Sequence, residues 1–317
     1  MKHFTSVNDV TSVNQFIAEA LELKKHPFLH HELGKNKTIG LLFFNSSLRT
    51  RLSTQKAALN LGMNVIVMNI GSEGWALEME DGTVMNSSGV EHIKDAAAVL
   101  GLYCQIVAVR CFPSLTNKQE DYSEKVLHHF IKYSGVPIVS MESATLHPLQ
   151  SLADMMTISE VKTTERPKVV LTWAPHIKAL PQVVANSFAE WTLKCGYDLT
   201  ITHPQGYELR VDFTNGAAIE YDQQKALKQA DFVYVKNWSA YTDYAKVLTI
   251  DEDWMLTQEK LEVTNQAKIM HCLPVRRNLE LSDELIDGSN SLILRQAQNR
   301  EFAAQAVLKK IIEDNFQ

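Results

Sequence analysis

The chain is poor in cysteine, with four residues in 317 (Cys104, Cys111, Cys195 and Cys272), and none stands in a Cys-x-x-Cys spacing. That excludes a zinc knuckle and a disulfide framework, so the thiols are expected to be reduced and mostly buried, and no metal site is indicated. An excess of positive charge is missing too. Lys and Arg number 31 against 37 Asp and Glu, a net charge of −6. A nucleic-acid partner needs a basic face and is not expected, and any anion site must concentrate its cations locally. No Gly-x-Gly-x-x-Gly follows an apolar segment, which leaves a dinucleotide-dependent oxidoreductase without its fingerprint. No apolar run is long enough to cross a bilayer, and the first residues show no basic segment followed by an apolar one. A cytoplasmic protein with no membrane partner is expected.

What is present is an alternation of strand and helix patterns. The first half predicts strands at Thr38–Phe44, Asn64–Asn69, Gln105–Arg110 and Val136–Met141, and helices at Leu52–Leu61, Glu91–Leu102, Glu120–Tyr133 and Ser151–Glu160. The second half predicts strands at Lys168–Trp173, Asp198–Thr202, Asp231–Val235 and Lys268–Met270, with helices at Gln182–Lys194 and Asp222–Gln229. Such alternation implies an α/β protein whose parallel sheets are covered by helices on both faces. Ser88-Gly89-Val90-Glu91 has a capping-box pattern that marks the start of one helix, and the polar turn Lys162–Pro167 marks the passage between halves. At 317 residues the chain can bury two cores.

Four segments at strand ends carry chemistry. Ser47-Leu48-Arg49-Thr50-Arg51 adds two hydroxyls and two guanidiniums to a helix N-terminus, whose free N–H groups and positive dipole end attract anions. The same pentapeptide also reads as an N-cap serine followed by solvated arginines. His147-Pro148-Leu149-Gln150 places a donor and an amide where open α/β sheets bind ligands, although such a pair taken alone is more often a capping turn than a site. His271-Cys272-Leu273-Pro274, with Arg276 and Arg277 behind it, follows the last strand, and Gln298-Asn299-Arg300 opens the final amphipathic helix.

Taken in order, S-x-R-T-R, Arg110 ending a strand, H-P-x-Q, H-C-L-P and a late N-R resemble the aspartate and ornithine carbamoyltransferase family. The resemblance implies two α/β domains, each a parallel sheet with helices on both faces, with a cleft between them and a last helix packing back on the first domain. The divisions expected are 1–150 for carbamoyl phosphate, 151–290 for the acceptor and 291–317 for the returning helix. Ser47, Leu48, Arg49, Thr50, Arg110 and Arg300 would hold the phosphate; His147, Gln150 and the backbone carbonyls of Cys272 and Leu273 would address the carbamoyl group. Leu48 stands where the family usually has threonine, which removes a hydroxyl and keeps an N–H. Arg110, His147 and Cys272 are the expected catalytic set, with Cys272 positional, because a carbamoyl-cysteine would need a base and a lowered thiol pKa. No cofactor is implied.

The acceptor region narrows the resemblance to the N-acylornithine branch. Trp75-Ala76, Val184-Ala185-Asn186-Ser187, Lys236-Asn237-Trp238 and the run His271–Asn278 match its signatures. Lys236 replaces an acid used by ornithine-specific relatives; it would repel a free α-ammonium and attract a carboxylate. In this branch Trp75 would reach a neighbouring subunit's site in a homotrimer, and as a bare residue it also reads as an interface or lid aromatic. Val90, Glu142, His176, Asn186, Lys236 and Arg276 would bind the acylornithine. Acetyl-specific members carry Glu-Glu-His where this chain has Val90-Glu91-His92, so loss of that first glutamate favours a succinyl group, with N-acetyl-L-ornithine the alternative. The expected partners are therefore carbamoyl phosphate and N-succinyl-L-ornithine, in arginine biosynthesis; a non-catalytic anion binder is the reading outside enzymes. Glu280, where acetyl-type members have lysine, is read as a solvated first-turn acid, with a carboxylate of similar reach as the other possibility.

Overall fold

Apolar residues on both faces of each central strand force helices onto both sides of the sheets. The computed structural model describes residues 1–70, 72–74, 76–86 and 88–316; the expectation for Trp75 lies outside them. After helix α1 (Val13–Lys25), the first half runs β1 (Thr38–Phe43), α2 (Leu48–Asn60), β2 (Asn64–Asn69), the short strands β3 (Leu77–Glu78) and β4 (Glu91–His92), and α3 (Ile93–Tyr103). It continues through β5 (Ile106–Arg110), α4 (Lys118–Tyr122), α5 (Lys125–Tyr133), β6 (Ile138–Glu142) and α6 (Pro148–Val161). The sheet order is β2-β1-β5-β6, all parallel.

The second half holds β7 (Lys168–Trp173), α7 (Val183–Lys194), β8 (Asp198–Thr202), α8 (Val211–Thr214), β9 (Ala218–Glu220), α9 (Gln223–Leu227), β10 (Phe232–Lys236), β11 (Lys268–Met270) and α10 (Asp283–Asp287). Its sheet order is β11-β10-β7-β8-β9, again parallel throughout. The chain closes with α11 (Ile293–Asn315), which packs along α6, α2 and α1 and so returns to the first domain.

The period-two alternation of strands sorts their side chains into distinct cores. Ile39, Leu41 and Phe43 of β1 join Val169, Leu171 and Trp173 of β7 in one cluster that also takes in Leu152, Met155 and Met156 of α6 and Val307, Leu308 and Ile311 of α11. Leu42, Val107 and Val109 face the opposite way, onto α3 and α5; Val170, Val233 and Val235 do the same in the second sheet. Each fully buried aliphatic side chain contributes roughly 1.5–3 kcal/mol.

Several boundaries differ from the sequence reading. Helix α2 starts at Leu48 because Ser47 Oγ caps it, accepting from Thr50 N at 3.2 Å. The capping box at Ser88–Glu91 does not form: Glu91–His92 pairs with Leu77–Glu78 as a strand, and the side chain of His92 caps α3 instead, accepting from Lys94 N at 3.1 Å. The segment expected as one helix over 120–133 is broken by Glu124, whose φ is 54°. The final helix begins at Ile293, so Asn299 and Arg300 lie in its second turn rather than at its opening. The edge strand β9 and the helix α1 carry no counterpart in the sequence reading.

Candidate active site

The C-terminal ends of β1, β5, β6, β7, β10 and β11 open on one cleft, where open parallel sheets leave room for a ligand. The cleft holds about 700 Å³. Among the described residues six basic ones line it, Arg49, Arg51, Arg110, Lys236, Arg276 and Arg300, against the single carboxylate of Glu142. On a chain of net charge −6 this is a strong local concentration of positive charge, and it selects for an anionic guest.

One wall is the N-terminus of α2. Ser47, Leu48, Arg49 and Thr50 all line it, and the Leu48 side chain is 69 % exposed. The expected substitution of a backbone N–H for a threonine hydroxyl is consistent with that position, since Leu48 is the first residue of the helix and its N–H has no intrahelical partner. Arg300 reaches over from α11, donating from Nη2 to Thr50 Oγ1 and from Nη1 to Gln150 Oε1, both at 2.6 Å. Arg110, at the end of β5, pairs with Glu142 and stacks over Phe112 with 4.3 Å to the ring centroid. The Nε atoms of Arg49, Arg110 and Arg300 are buried without a protein partner. Burial lowers the pKa of Arg49 and brings Arg300 down to about 10, so Arg300 remains a cation at neutral pH.

His147 caps α6 by position, and its Nε2 lies 3.3 Å from Glu142. Burial, then the nearby guanidiniums of Arg300, Arg110 and Arg49, holds its pKa well below the ordinary value. It is therefore neutral, and a neutral imidazole can donate a hydrogen bond to a carbonyl oxygen without bringing another charge. Burial raises Glu142, against the pull of Arg110, Arg300 and Lys236. The loop that delivers His147 is held by Glu124, whose carboxylate accepts from Ser143 Oγ at 2.6 Å, Ala144 N at 3.1 Å and Thr145 N at 2.7 Å. Sequence reasoning missed Glu124. Its place inside an expected helix concealed it.

Cys272 is buried, and burial raises its thiol pKa. The imidazole of His271 turns away from it, to Glu280 at 2.9 Å through Nε2, while Nδ1 accepts from Leu273 N at 2.9 Å. That pattern fixes the neutral tautomer with its proton on Nε2. A thiol with a raised pKa and no base on it suits a positional role. Leu273, next in sequence, also lines the cleft and has a φ of 57°.

The acceptor residues are brought together unevenly. Glu142, His176, Lys236 and Arg276 line the cleft, and Arg276 Nε donates to His176 Nε2 at 3.0 Å. Burial lowers the pKa of His176, consistent with its accepting that bond. Asn186 lies behind the cleft, where its Nδ2 donates to Thr145 O at 3.2 Å, tying α7 to the His147 loop. Val90 stands outside the lining of this chain's own cleft and is 65 % exposed; its N–H donates to Ala76 O at 2.9 Å. Glu280 is a correction. It is 1 % exposed, not solvated, because the bend after Pro274 returns the chain beneath the cleft. Burial pushes its pKa up, but the hydrogen bond from His271 and the charge of Lys236 hold it below the ordinary value. Among the described residues no cluster of three or more His, Cys, Asp or Glu could hold a metal ion, and no helix is long and apolar enough to cross a membrane.

Comparison with known proteins gives matching results at three levels. The family model for the carbamoyl-P binding domain of aspartate/ornithine carbamoyltransferases matches residues 2–160, and that for the Asp/Orn binding domain matches residues 181–311. The chain is 52 % identical over 315 residues to the N-succinylornithine carbamoyltransferase of Bacteroides thetaiotaomicron, covering 99 % of each. It is 35 % identical over 332 residues to the N-acetylornithine carbamoyltransferase of Xylella fastidiosa, covering 97 % of this chain and 98 % of that relative. Among solved structures, acetylornithine transcarbamylase complexed with acetylcitrulline superposes with a TM-score of 0.93 at 31 % identity, over 98 % of this chain and 99 % of that one. A glutamate-to-valine variant of N-acetyl-L-ornithine transcarbamylase, complexed with carbamyl phosphate and N-succinyl-L-norvaline, gives 0.92 at 31 % identity, over 98 % and 100 %.

Proposed function

The chain belongs to the aspartate/ornithine carbamoyltransferase family, and from that premise we propose that it transfers the carbamoyl group of carbamoyl phosphate to the δ-amine of N-succinyl-L-ornithine. The products are N-succinyl-L-citrulline and phosphate. The observation that carries this reading is the convergence of Arg49, Arg110 and Arg300 on the N-terminus of α2, with their Nε atoms buried and unpartnered.

In the mechanism, the phosphate sits against the free N–H groups of α2 and the forked donors of the three arginines. The carbamoyl oxygen faces His147 and Arg110, which stabilise the charge that develops there as the neutral δ-amine attacks the carbonyl carbon. The C–N bond forms, the C–O bond to phosphate breaks, the departing phosphate takes the proton that the amine nitrogen sheds, and its charge is met by guanidiniums already in place. Orientation supplies most of the remaining barrier reduction. Gln150 and the backbone carbonyls of Cys272 and Leu273 hold the carbamoyl amide. Lys236, His176 and Arg276 receive the acceptor's carboxylates, and a second carboxylate makes use of a cationic wall that an acetyl group would leave partly idle. The succinyl-type relative at 52 % identity and the valine variant captured with a succinyl compound support this choice.

The working form is a homotrimer in the cytoplasm, serving arginine biosynthesis, with Trp75 and Val90 reaching the site of an adjacent subunit. Val90 is hydrogen-bonded through its backbone to Ala76 and is exposed outside its own cleft, which supports a role in trans. We assign carbamoyl phosphate to residues 1–150, the acceptor to 151–290, and the returning helix to 291–317. A colorimetric citrulline assay with carbamoyl phosphate and N-succinyl-L-ornithine, N-acetyl-L-ornithine or L-ornithine tests the reading. Turnover should be highest with the succinyl compound; preference for the acetyl compound, or no turnover with any of them, overturns it.

A further inference from the structure

Beneath the cleft, two amide side chains converge on one carboxylate oxygen. Asp154 Oδ1 accepts from Gln150 Nε2 at 2.7 Å and from Gln296 Nε2 at 2.9 Å. With an N–H of each amide committed to the carboxylate, each carbonyl is turned the other way. Gln150 Oε1 accepts from Arg300 Nη1 at 2.6 Å, and Gln296 Oε1 accepts from His271 N at 2.8 Å. Asp154, Gln150, Gln296, His271 and Arg300 are all buried. Asp154 is absent from the cleft lining. We propose that Asp154 is a positioning residue, whose Oδ1 sets the orientation of both glutamine amides and through them fixes the Arg300 guanidinium and the start of the 271–274 loop.

The argument is one of donor and acceptor parity. An amide can lie either way round with little change in shape, so its orientation is decided by its neighbours. If Gln150 turned over, its carbonyl would face the carboxylate and its NH₂ would face the guanidinium, two repulsive contacts in a buried site. The same inversion of Gln296 would leave His271 N without an acceptor. An ionised carboxylate has no donor to offer in any orientation and so excludes both inversions. The geometry comes from helix spacing: Gln150 and Asp154 are i,i+4 on α6, and Gln296 and Arg300 are i,i+4 on α11. Among the described residues Asp154 makes no ion pair, and burial, opposed by its amide bonds and by Arg300, pushes its pKa up to about 7. A proton would add at Oδ2, which has no hydrogen-bond partner. Oδ1 stays an acceptor in either state.

This inference rests on the proposed function for its catalytic meaning, but its test reads phosphate binding directly. Inorganic phosphate is titrated by calorimetry into the full-length wild type, Asp154→Leu and Asp154→Asn, and the KM for carbamoyl phosphate is measured alongside. Asp154→Leu should raise the phosphate Kd at least fivefold, whereas Asp154→Asn, which keeps a carbonyl at Oδ1, should stay within threefold of wild type. A leucine variant that binds phosphate within twofold of wild type overturns the proposal. So does an asparagine variant that loses as much as the leucine one. Should the leucine variant not fold, Asp154→Ser, whose oxygen falls short of both amides, takes its place; if neither folds, the residue serves stability alone and the proposal is overturned. A wild type that binds phosphate but carbamoylates no acylornithine sinks the functional reading while leaving the positioning role intact.

Discussion

Glu280 Oε2 and His271 Nε2 lie 2.9 Å apart, both side chains buried, and the other ring nitrogen of His271 is occupied by Leu273 N. This pair staples the bend after β11 to the segment that follows it and holds the backbone of Cys272 and Leu273 against the cleft. A carboxylate held below its ordinary 4.5 stabilises the folded protein above that value, and the stabilisation is lost as pH falls through the lower folded pKa. Glu280→Gln should therefore cost about 1–2 kcal/mol at pH 7, with the gap to wild type narrowing below pH 4.5. Denaturant unfolding at pH 7 and in mild acid checks it; a gap that widens in acid contradicts the pairing.

Arg49 presents a fork where lysine would offer a point charge. Arg49→Lys should lower kcat/KM for carbamoyl phosphate by about 2 kcal/mol, roughly 30-fold. Steady-state kinetics decide, and a near-wild-type value removes Arg49 from the phosphate contacts.

Glu124 acts on the reaction only through the loop before His147. Removing its carboxylate in Glu124→Ala frees two backbone N–H groups and the hydroxyls of Ser143 and Thr145, at a cost of about 2 kcal/mol in stability. We expect kcat to drop at least tenfold while the phosphate Kd changes little. Equal losses in both would place Glu124 in general folding rather than in the placement of His147.

Val90→Glu should shift preference from N-succinyl-L-ornithine toward N-acetyl-L-ornithine. Two carboxylates about 6 Å apart at an effective dielectric near 20 repel by roughly 2–3 kcal/mol. The readout is kcat/KM for both acceptors on both proteins at saturating carbamoyl phosphate. Equal decreases would deny Val90 a part in specificity.

Trp75→Ala subunits mixed with subunits disabled at Arg49 should regain activity in hybrid trimers, because some clefts would combine an intact Arg49 with a neighbour's intact tryptophan. Mixed assemblies with proven subunit exchange and no recovered activity would mean that each chain completes its site alone.

The strands were legible because parallel strands buried on both faces read as short continuous apolar runs, as Thr38–Phe43 and Lys168–Trp173 do. Most of the cleft residues were legible because they follow a strand's C-terminal end in an ordered motif, while Arg300 was legible only through the late N-R pair, on α11. Long-range contacts were not. Glu280 looks like a surface acid until the chain folds back on His271, and Glu124 looks helical until the 143–146 loop claims its oxygens. At 88–92 a local capping signal lost to pairing with Leu77–Glu78, which only tertiary structure supplies. Helix α1 could have been found, since Phe16, Ile17, Ala20 and Leu23 mark one buried face.

The apolar cluster that begins at Leu41 in the first sheet passes through Leu152 and Met156 of α6 and Val307 and Ile311 of α11, and ends on Leu171 and Tyr234 of the second. Neither half owns that wall. A chain severed in the 162–167 turn would leave each fragment with its largest greasy surface turned to water, so the fragments should stick to each other, or to themselves, before either stood alone. Heating the intact protein should accordingly melt both sheets in one step, and any opening of the cleft has to be a small slide along α6 and α11 rather than a swing of two free bodies.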